Sequence, residues 1–199
     1  MNKFEIKSQN TKRALVNAFW ELTREKELHK IKIKDVTDRA GVYRSTFYLH
    51  FVDILDLLEQ EEDLLVEKWQ IHAAHVPDLS SSNELFLTLS NYYIENGDKV
   101  FTLLNNRAYS KYEEKMKDSI RKMIYSQYAP ANVTSFEYSF EFYIDGIIGS
   151  LCKWHSEGQS EDVNVVIAQM LNLIQHGIGN AYWKTDTSPS RTGDPGTHC

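Results

Sequence analysis

The sequence predicts an all-α protein of about nine helices: a short N-terminal three-helix unit holding a helix-turn-helix, then a larger helical body. Three observations carry that expectation. Glycine and proline number only 9 and 4 in 199 residues, so few positions break a regular segment. The long stretches between them repeat apolar residues at i, i+3 and i+4. Alternating, strand-like runs are few and short. Apolar residues make up 42% of the chain and charged residues 25%, enough to bury a core, which excludes wholesale disorder.

The first predicted helix covers about Thr11 to Glu25. Ala14, Leu15, Ala18, Phe19 and Leu22 share one stripe, with Lys12, Arg13, Glu21 and Arg24 off it. A short helix follows from Ile33 to Ala40, with Val36 and Ala40 inward. Gly41 interrupts, and another short helix runs from Tyr43 to His50, with Val42, Phe47 and Phe51 inward. Asp53 is an N-cap for a long fourth helix reaching about His75. Pro77 and Ser80–Ser82 end it. Helices are expected over Asn83 to Glu95, stopped by Asn96-Gly97, and from Asp98 to Asn105-Asn106. Three more span Tyr109 to Tyr128, Thr134 to Ser156 and Glu161 to Tyr182. Thr185 to Cys199 has no apolar partner and is expected to be a disordered tail. The domain boundaries are therefore 1–52, 53–184 and 185–199.

Charge is divided unevenly along this layout. Residues 1–51 hold eleven Lys/Arg against six Asp/Glu, residues 52–128 eight against fourteen, and residues 129–199 three against eight. The total of −6 thus hides a basic head on an acidic body, as expected if only the head meets a polyanion. Two cysteines, Cys152 and Cys199, exclude a disulfide scaffold and fit a reducing compartment. Met1 to Asn10 form no apolar block and no run reaches membrane-spanning length. The expectation is a cytoplasmic protein with no membrane partner.

The most informative stretch runs from Lys32 to Phe51. Ala40 closes the first short helix with a small residue. Gly41 supplies a turn position that tolerates positive φ, and Val42 plugs the angle. The second helix then turns Tyr43, Arg44, Ser45, Thr46, Tyr48 and His50 outward, a face rich in donors and free of carboxylates. Such a face suits a DNA major groove, whose walls are phosphates and whose floor is base edges. Arg44 has the fork for guanine O6 and N7, Ser45 and Thr46 reach bases or phosphates, and Tyr48, His50 and Lys34 reach the backbone. A helical hairpin with an ordinary solvated face is the competing interpretation of the same residues.

Ala40-Gly41-Val42, Thr46-Phe47-Tyr48 and His50-Phe51, with Ala18-Phe19 ahead of them, resemble the DNA-binding signature of the TetR family of transcriptional regulators. The resemblance implies a helix-turn-helix head and a helical body for ligand binding and dimerisation. It also implies double-stranded DNA, a homodimer partner and a small-molecule effector of unknown identity as partners. The chain departs from the family pattern at Ile54, where a phosphate-contacting lysine is usual. It also departs at Val52 for proline, at Lys32 for a threonine cap and at Thr37 for a small residue.

The body offers two apolar helices. Phe136, Phe140, Tyr143, Ile144, Ile147, Ile148, Leu151 and Trp154 form a band wider than a surface helix needs, and Gly146, Gly149 and Ser150 permit close approach. Val163, Val166, Ile167, Met170, Leu171, Ile174 and Ile178 line the last helix. From residues alone they either complete one core or build a four-helix bundle with a symmetry mate. The resemblance implies the second, through Ile144, Ile148, Leu151, Ile167, Leu171 and Ile174. Aromatics are dense between them, and Trp69, Tyr93, Phe101, Tyr109 and Tyr143 are the expected lining of a ligand pocket. Simple core packing accounts for the same rings.

Other clusters read as structural. Glu137, Glu141 and Asp145 lie on one helix face, which is solvated or holds a cation. His72 and His75 lie one turn apart without further ligands nearby. Glu59, Glu61, Glu62 and Asp63 are expected in solvent, and Cys152 in the core. No phosphate-binding glycine loop, nucleophile elbow or metalloprotease motif is present, so no enzyme and no cofactor is expected. The expected function is ligand-responsive repression of a palindromic operator. The alternative is a co-regulator of the same fold that acts mainly through a protein partner. Ile54 motivates it, as does a loose similarity of the Phe140–Trp154 helix to a subgroup that includes a dihydroxyacetone-kinase activator.

Overall fold

The computed structural model describes residues 3–74, 76, 82–127 and 133–182. The expected tail, Pro77, His75 and Cys199 lie outside them. Among the described residues there are eight α-helices and no strand: α1 (Lys3–Thr23), α2 (Ile33–Ala40), α3 (Arg44–Phe47), α4 (Ile54–Ala73), α5 (Ser82–Leu104), α6 (Tyr112–Gln127), α7 (Val133–Ser156) and α8 (Val163–Tyr182).

Helix α1 begins eight residues before the expected start. Thr11 does not cap it: the Thr11 hydroxyl donates back to the Lys7 carbonyl at 2.9 Å, a bond available only inside a helix. Leu15, Ala18, Phe19 and Leu22 are buried on the expected stripe. A single 3-10 turn at Leu28–Lys30, not anticipated, buries Leu28 and Ile31 beneath α1 and α2.

Helix α2 opens with the Lys32 backbone N–H donating to the Asp35 carboxylate at 3.0 Å. Lys26 lies 3.1 Å from the same carboxylate. These partners, the backbone bond foremost, hold the Asp35 pKa below its ordinary value. The helix closes at Gly41, whose φ of 67° and ψ of 33° are left-handed, and the Val42 N–H donates to the Thr37 carbonyl at 3.1 Å. Helix α3 is a single turn, shorter than expected; residues 48–50 continue it as turns. Phe47 and Phe51 are buried with ring centroids 5.4 Å apart.

Helix α4 starts where Asp53 predicts. The Asp56 N–H donates to Asp53 at 2.9 Å and the Val52 N–H donates to Asp56 at 2.7 Å, a reciprocal cap. The Val52 bond is the main cause lowering the Asp56 pKa.

The largest difference lies in α5. Asn96-Gly97 does not divide it, so two expected helices are one. Asn96 is buried; its amide donates to the Tyr92 carbonyl at 3.1 Å and accepts from Lys68 at 3.0 Å. Its polar groups serve the helix and its neighbour instead of ending it. Tyr92, Val100 and Phe101 bury the flanking turns. The expected break at Asn105-Asn106 is present.

Helix α6 starts at Tyr112, not Tyr109, because the Lys111 N–H donates to the Glu62 carboxylate at 3.0 Å and the Tyr112 N–H to Ser110 at 3.1 Å. Helices α7 and α8 are joined through Gly158 and Gln159, both at positive φ, and Asp162 accepts from the Asn164 N–H at 2.7 Å.

Helices α1 to α3 pack together as the head, and α5 lies at the centre of the body, touching α4, α6, α7 and α8. Head and body are joined by polar links. Trp20 donates to Glu61 at 2.7 Å, Lys99 lies 3.3 Å from the same carboxylate, and Arg24 meets Asp98 at 2.9 Å. Glu61 and Glu62 are therefore buried, contrary to the solvent position expected for them; Glu62 also pairs with Lys115 at 3.2 Å.

Candidate nucleic-acid interface and ligand cavity

The α2–α3 hairpin presents its outer face to solvent. Tyr43 is 85% exposed, and Arg44, Ser45 and Tyr48 are also exposed. Thr46 and His50 are half-buried. Lys34 is extended into solvent, 3.9 Å from Asp38. Arg44 does not hold its whole fork free. Its Nε and Nη2 donate to the Tyr48 hydroxyl oxygen at 3.2 and 3.0 Å, and its guanidinium lies over the Tyr48 ring. One edge of the arginine is thus fixed, leaving Nη1 and the remaining Nη2 proton to face outward, while the Tyr48 proton stays available for donation. Burial, with a smaller contribution from Lys12, lowers the His50 pKa, so His50 is a neutral ring near neutral pH.

Lys12 is a residue the sequence argument passed over. It comes from α1, yet it lies over the Phe51 ring at 5.4 Å and bonds Gln60 at 2.8 Å, adding a cation beside His50. Lys32, Lys34 and Arg44 edge a shallow crevice whose other members are Ile33, Asp53, Ile54 and Leu55. Leu49, Val52 and Leu55 stand exposed next to it.

The body holds an apolar cavity of about 430 Å³ between α4, α5, α6, α7 and α8. Trp69, Tyr93 and Tyr143, three of the five expected residues, line it. Phe101 does not. It is stacked on His155 at 4.3 Å and on Tyr93 at 5.8 Å, beside a separate polar hollow edged by Arg24, Asp98 and Lys99. Tyr109 is 47% exposed and stacks on His29 of the head, so it packs across the head–body junction. Most of the lining was missed: Leu89, Met116, Ile120, Met123, Phe136 and Phe140. Met116, Ile120 and Met123 do repeat at helical spacing along α6, the one signal that pointed inward.

The expected dimer residues are largely internal. Leu151, Ile167 and Leu171 are buried in the core of the single chain, and Ile144 and Ile148 line the cavity. The side chain of Ile174 lies outside the described residues. The apolar face that α7 leaves in solvent is a different one: Tyr138 and Phe142 are 76% and 72% exposed, in line with exposed Gly146 and Gly149. On α8, Val165, Ala168 and Asn172 are exposed.

Glu137, Glu141 and Asp145 hold internal cations. Lys117 meets Asp145 at 2.6 Å and Glu141 at 2.9 Å, and Arg121 meets Glu137 at 3.0 Å and Glu141 at 2.9 Å. Burial acts to lower the Lys117 pKa, but the bonds to Asp145 and Glu141 outweigh it and raise it to about 12. His72 pairs with Glu95 at 3.3 Å. Among the described residues no group of three metal-ligating side chains converges, and no helix is long and apolar enough to cross a membrane. Cys152 is half-buried and burial pushes its thiol pKa up.

Residues 80–176 match the TetR-type model described as the C-terminal region of a transcriptional regulator. No curated protein sequence matches the chain. Among solved structures, the fatty acid degradation regulator FadR from Bacillus halodurans is 13% identical with a TM-score of 0.62, over 84% of this chain and 96% of that one. FadR from Bacillus subtilis, solved in complex with stearoyl-CoA, is 15% identical with a TM-score of 0.61, over 83% and 98%. The dihydroxyacetone kinase operon activator DhaS is 18% identical with a TM-score of 0.55, over 83% and 94%. At these identities the structures speak for the fold, and their functions are those of regulators, not enzymes. Residues 80–176 thus resemble the C-terminal region of TetR-type transcriptional regulators, and the Ala40–Phe51 helix-turn-helix lies ahead of them.

Proposed function

We propose that this regulator binds operator DNA as a homodimer and releases it when a small apolar effector occupies the body, acting as a repressor. The observation that carries the DNA-binding role is the outward face of α3, where Tyr43, Arg44, Ser45 and Tyr48 are exposed together and none of the exposed side chains is a carboxylate. Residues 1–52 are the DNA-binding head and 53–184 the effector and dimer body. Arg44 reads a base edge; Lys34, Tyr43, Tyr48 and His50 position the head on phosphates, with Ser45 and Thr46 close to the groove floor. Because Tyr48 holds one edge of Arg44, the pair acts as a unit.

The dimer face is the exposed one of α7 and α8, centred on Tyr138, Phe142 and Val165, with Gly146 and Gly149 allowing close helix approach. A two-fold pair then offers two α3 helices, and a palindrome with half-sites about 34 Å apart receives them. The apolar cavity supports an apolar effector, as does the stearoyl-CoA held by the similar FadR of Bacillus subtilis. Filling it shifts the head only if the effector binds one helix arrangement more tightly than the other. Trp20–Glu61, Arg24–Asp98 and His29–Tyr109 are the contacts through which such a shift reaches the head.

Genome-wide mapping of bound sites, followed by gel shifts on the recovered DNA, tests this reading. The expected result is a palindromic motif bound with strong salt dependence. Arg44→Ala is expected to cost about 1–3 kcal/mol of operator affinity and to relax one position per half-site. Absence of any enriched motif overturns the reading. A second reading, action through a protein partner, draws on Ile54 where the family places a cation and on exposed Leu49, Val52 and Leu55 beside α3. Recruitment to DNA only in the presence of a second protein is the result that selects it.

A further inference from the structure

We infer that the body cavity takes an uncharged, mainly apolar molecule whose hydrogen-bond acceptor meets the indole N–H of Trp69. This rests on the reading of that cavity as the effector site and gives the chemical class of the effector. Trp69 is 1% exposed and lines the cavity, yet its Nε1 has no hydrogen-bond partner among the described residues. A buried donor left unpaired is costly. Its ring neighbour Tyr92 meets it in a T-shaped contact at 5.6 Å, and a π face is a weak acceptor. Tyr93 lines the same wall. Burial pushes its hydroxyl pKa far up, so it too stays a donor. The site therefore asks its occupant for an acceptor.

The charge pattern says what kind. Lys117 is the one ionisable cation on the described lining, and it is already held by Asp145, Glu141 and, at 3.5 Å, Glu113. Arg121, behind it, is taken by Glu137 and Glu141. Arg107 takes Glu113 from the other side at 2.8 Å. Four carboxylates thus face three cations along the α6–α7 seam, and among the described residues no free cation there waits for an anionic head. A carboxylate or phosphate ligand meets excess negative charge there, and a charge buried without a partner is expensive. An ammonium ligand has donors only and leaves the Trp69 N–H unanswered. An ester, ketone or ether oxygen on an apolar frame satisfies both conditions. The inference separates this chain from a site built for an acyl-CoA.

The test uses the purified full chain and the apolar dye N-phenyl-1-naphthylamine. Displacement is measured with four probes of one chain length: methyl laurate, laurate, lauroyl-CoA and dodecylammonium. Methyl laurate is expected to displace the dye at about tenfold lower concentration than the charged probes. Trp69→Phe is expected to keep dye binding and lose about five- to tenfold of the ester's affinity. The indole N–H resonance of Trp69 in the unmodified chain provides a readout independent of that variant's folding; it should move on adding methyl laurate and not on adding dodecylammonium. Laurate, lauroyl-CoA or dodecylammonium binding as tightly as the ester overturns the inference, as does an ester that leaves the Trp69 resonance in place. A chain that binds neither dye nor any probe overturns the effector-cavity reading itself.

Discussion

Replacing Gly41 and Gly97 by alanine, one at a time, is expected to move stability in opposite directions. Gly41 sits at φ 67°, and a Cβ built there meets nothing within 4 Å. The whole cost is then the left-handed backbone, about 1–2 kcal/mol for an L-residue. Gly97 lies inside α5, where its Cβ would rest 3.6 Å from Phe101 Cε2, an ordinary contact. Alanine there removes glycine's excess unfolded-state freedom and gains about 0.5–1 kcal/mol. For a chain of this size each kcal/mol moves the midpoint by about 2–4 °C. Thermal melts of the full chain should therefore show Gly41→Ala lower by about 2–8 °C and Gly97→Ala higher by about 1–4 °C. Gly41→Asn should lose less than Gly41→Ala, because asparagine enters the left-handed region more readily. Gly41→Val should lose more, because a branched Cβ resists it. A Gly41→Ala midpoint at or above the parent refutes the turn geometry, and a Gly97→Ala midpoint below it refutes an unbroken α5.

Other consequences can be checked in the same preparations. Phe142→Asp on the exposed face of α7 should convert a dimer to a folded monomer in sedimentation velocity, with far-UV dichroism unchanged; a retained dimer moves the interface elsewhere. Glu62→Ala should cost about 1–3 kcal/mol in urea unfolding, because the Lys111 N–H and Lys115 lose their partner, whereas exposed Glu59→Ala should change stability by about 0.5 kcal/mol or less. Equal effects of the two would return Glu62 to the surface. The folded pKa of His50 lies below its ordinary value of 6.5, so below 6.5 the unfolded chain binds the extra proton and stability falls as pH drops towards the folded pKa. His50→Gln should flatten that part of the stability–pH profile, and an unchanged slope assigns it to other groups.

Much of the head was legible because local chemistry decides it. Asp53 caps α4, Gly41 takes the left-handed turn, and Phe47 and Phe51 point inward, each for reasons confined to a few neighbouring residues. The body was harder to read. Asn96-Gly97 carries the composition of a helix stop, yet buried Tyr92 and Phe101 on either side hold the helix together, and Asn96 finds partners in Tyr92 and Lys68. Glu61 and Glu62 look like solvated charges until Trp20, Lys99, Lys111 and Lys115 arrive from distant segments. Of the cavity, Trp69, Tyr93 and Tyr143 were visible as isolated aromatics, while Met116, Ile120 and Phe140 became lining only when α6 met α7.

The amino-acid sequence by itself determined the helical class, the helix-turn-helix and the basic head on an acidic body. Periodicity, capping and φ preference act over one or two turns of chain, and all three can be read from neighbouring residues. Only the tertiary structure decided which face of α7 turns inward. Beside its acidic face that helix carries two apolar ones, one of Phe140, Ile144, Ile148 and Leu151 and one of Tyr138 and Phe142, so its sequence supports either orientation. Packing against α5 and α8 buries Ile148 and Leu151 and leaves Tyr138 and Phe142 in solvent, because a side-chain stripe records that a partner exists and not which surface supplies it.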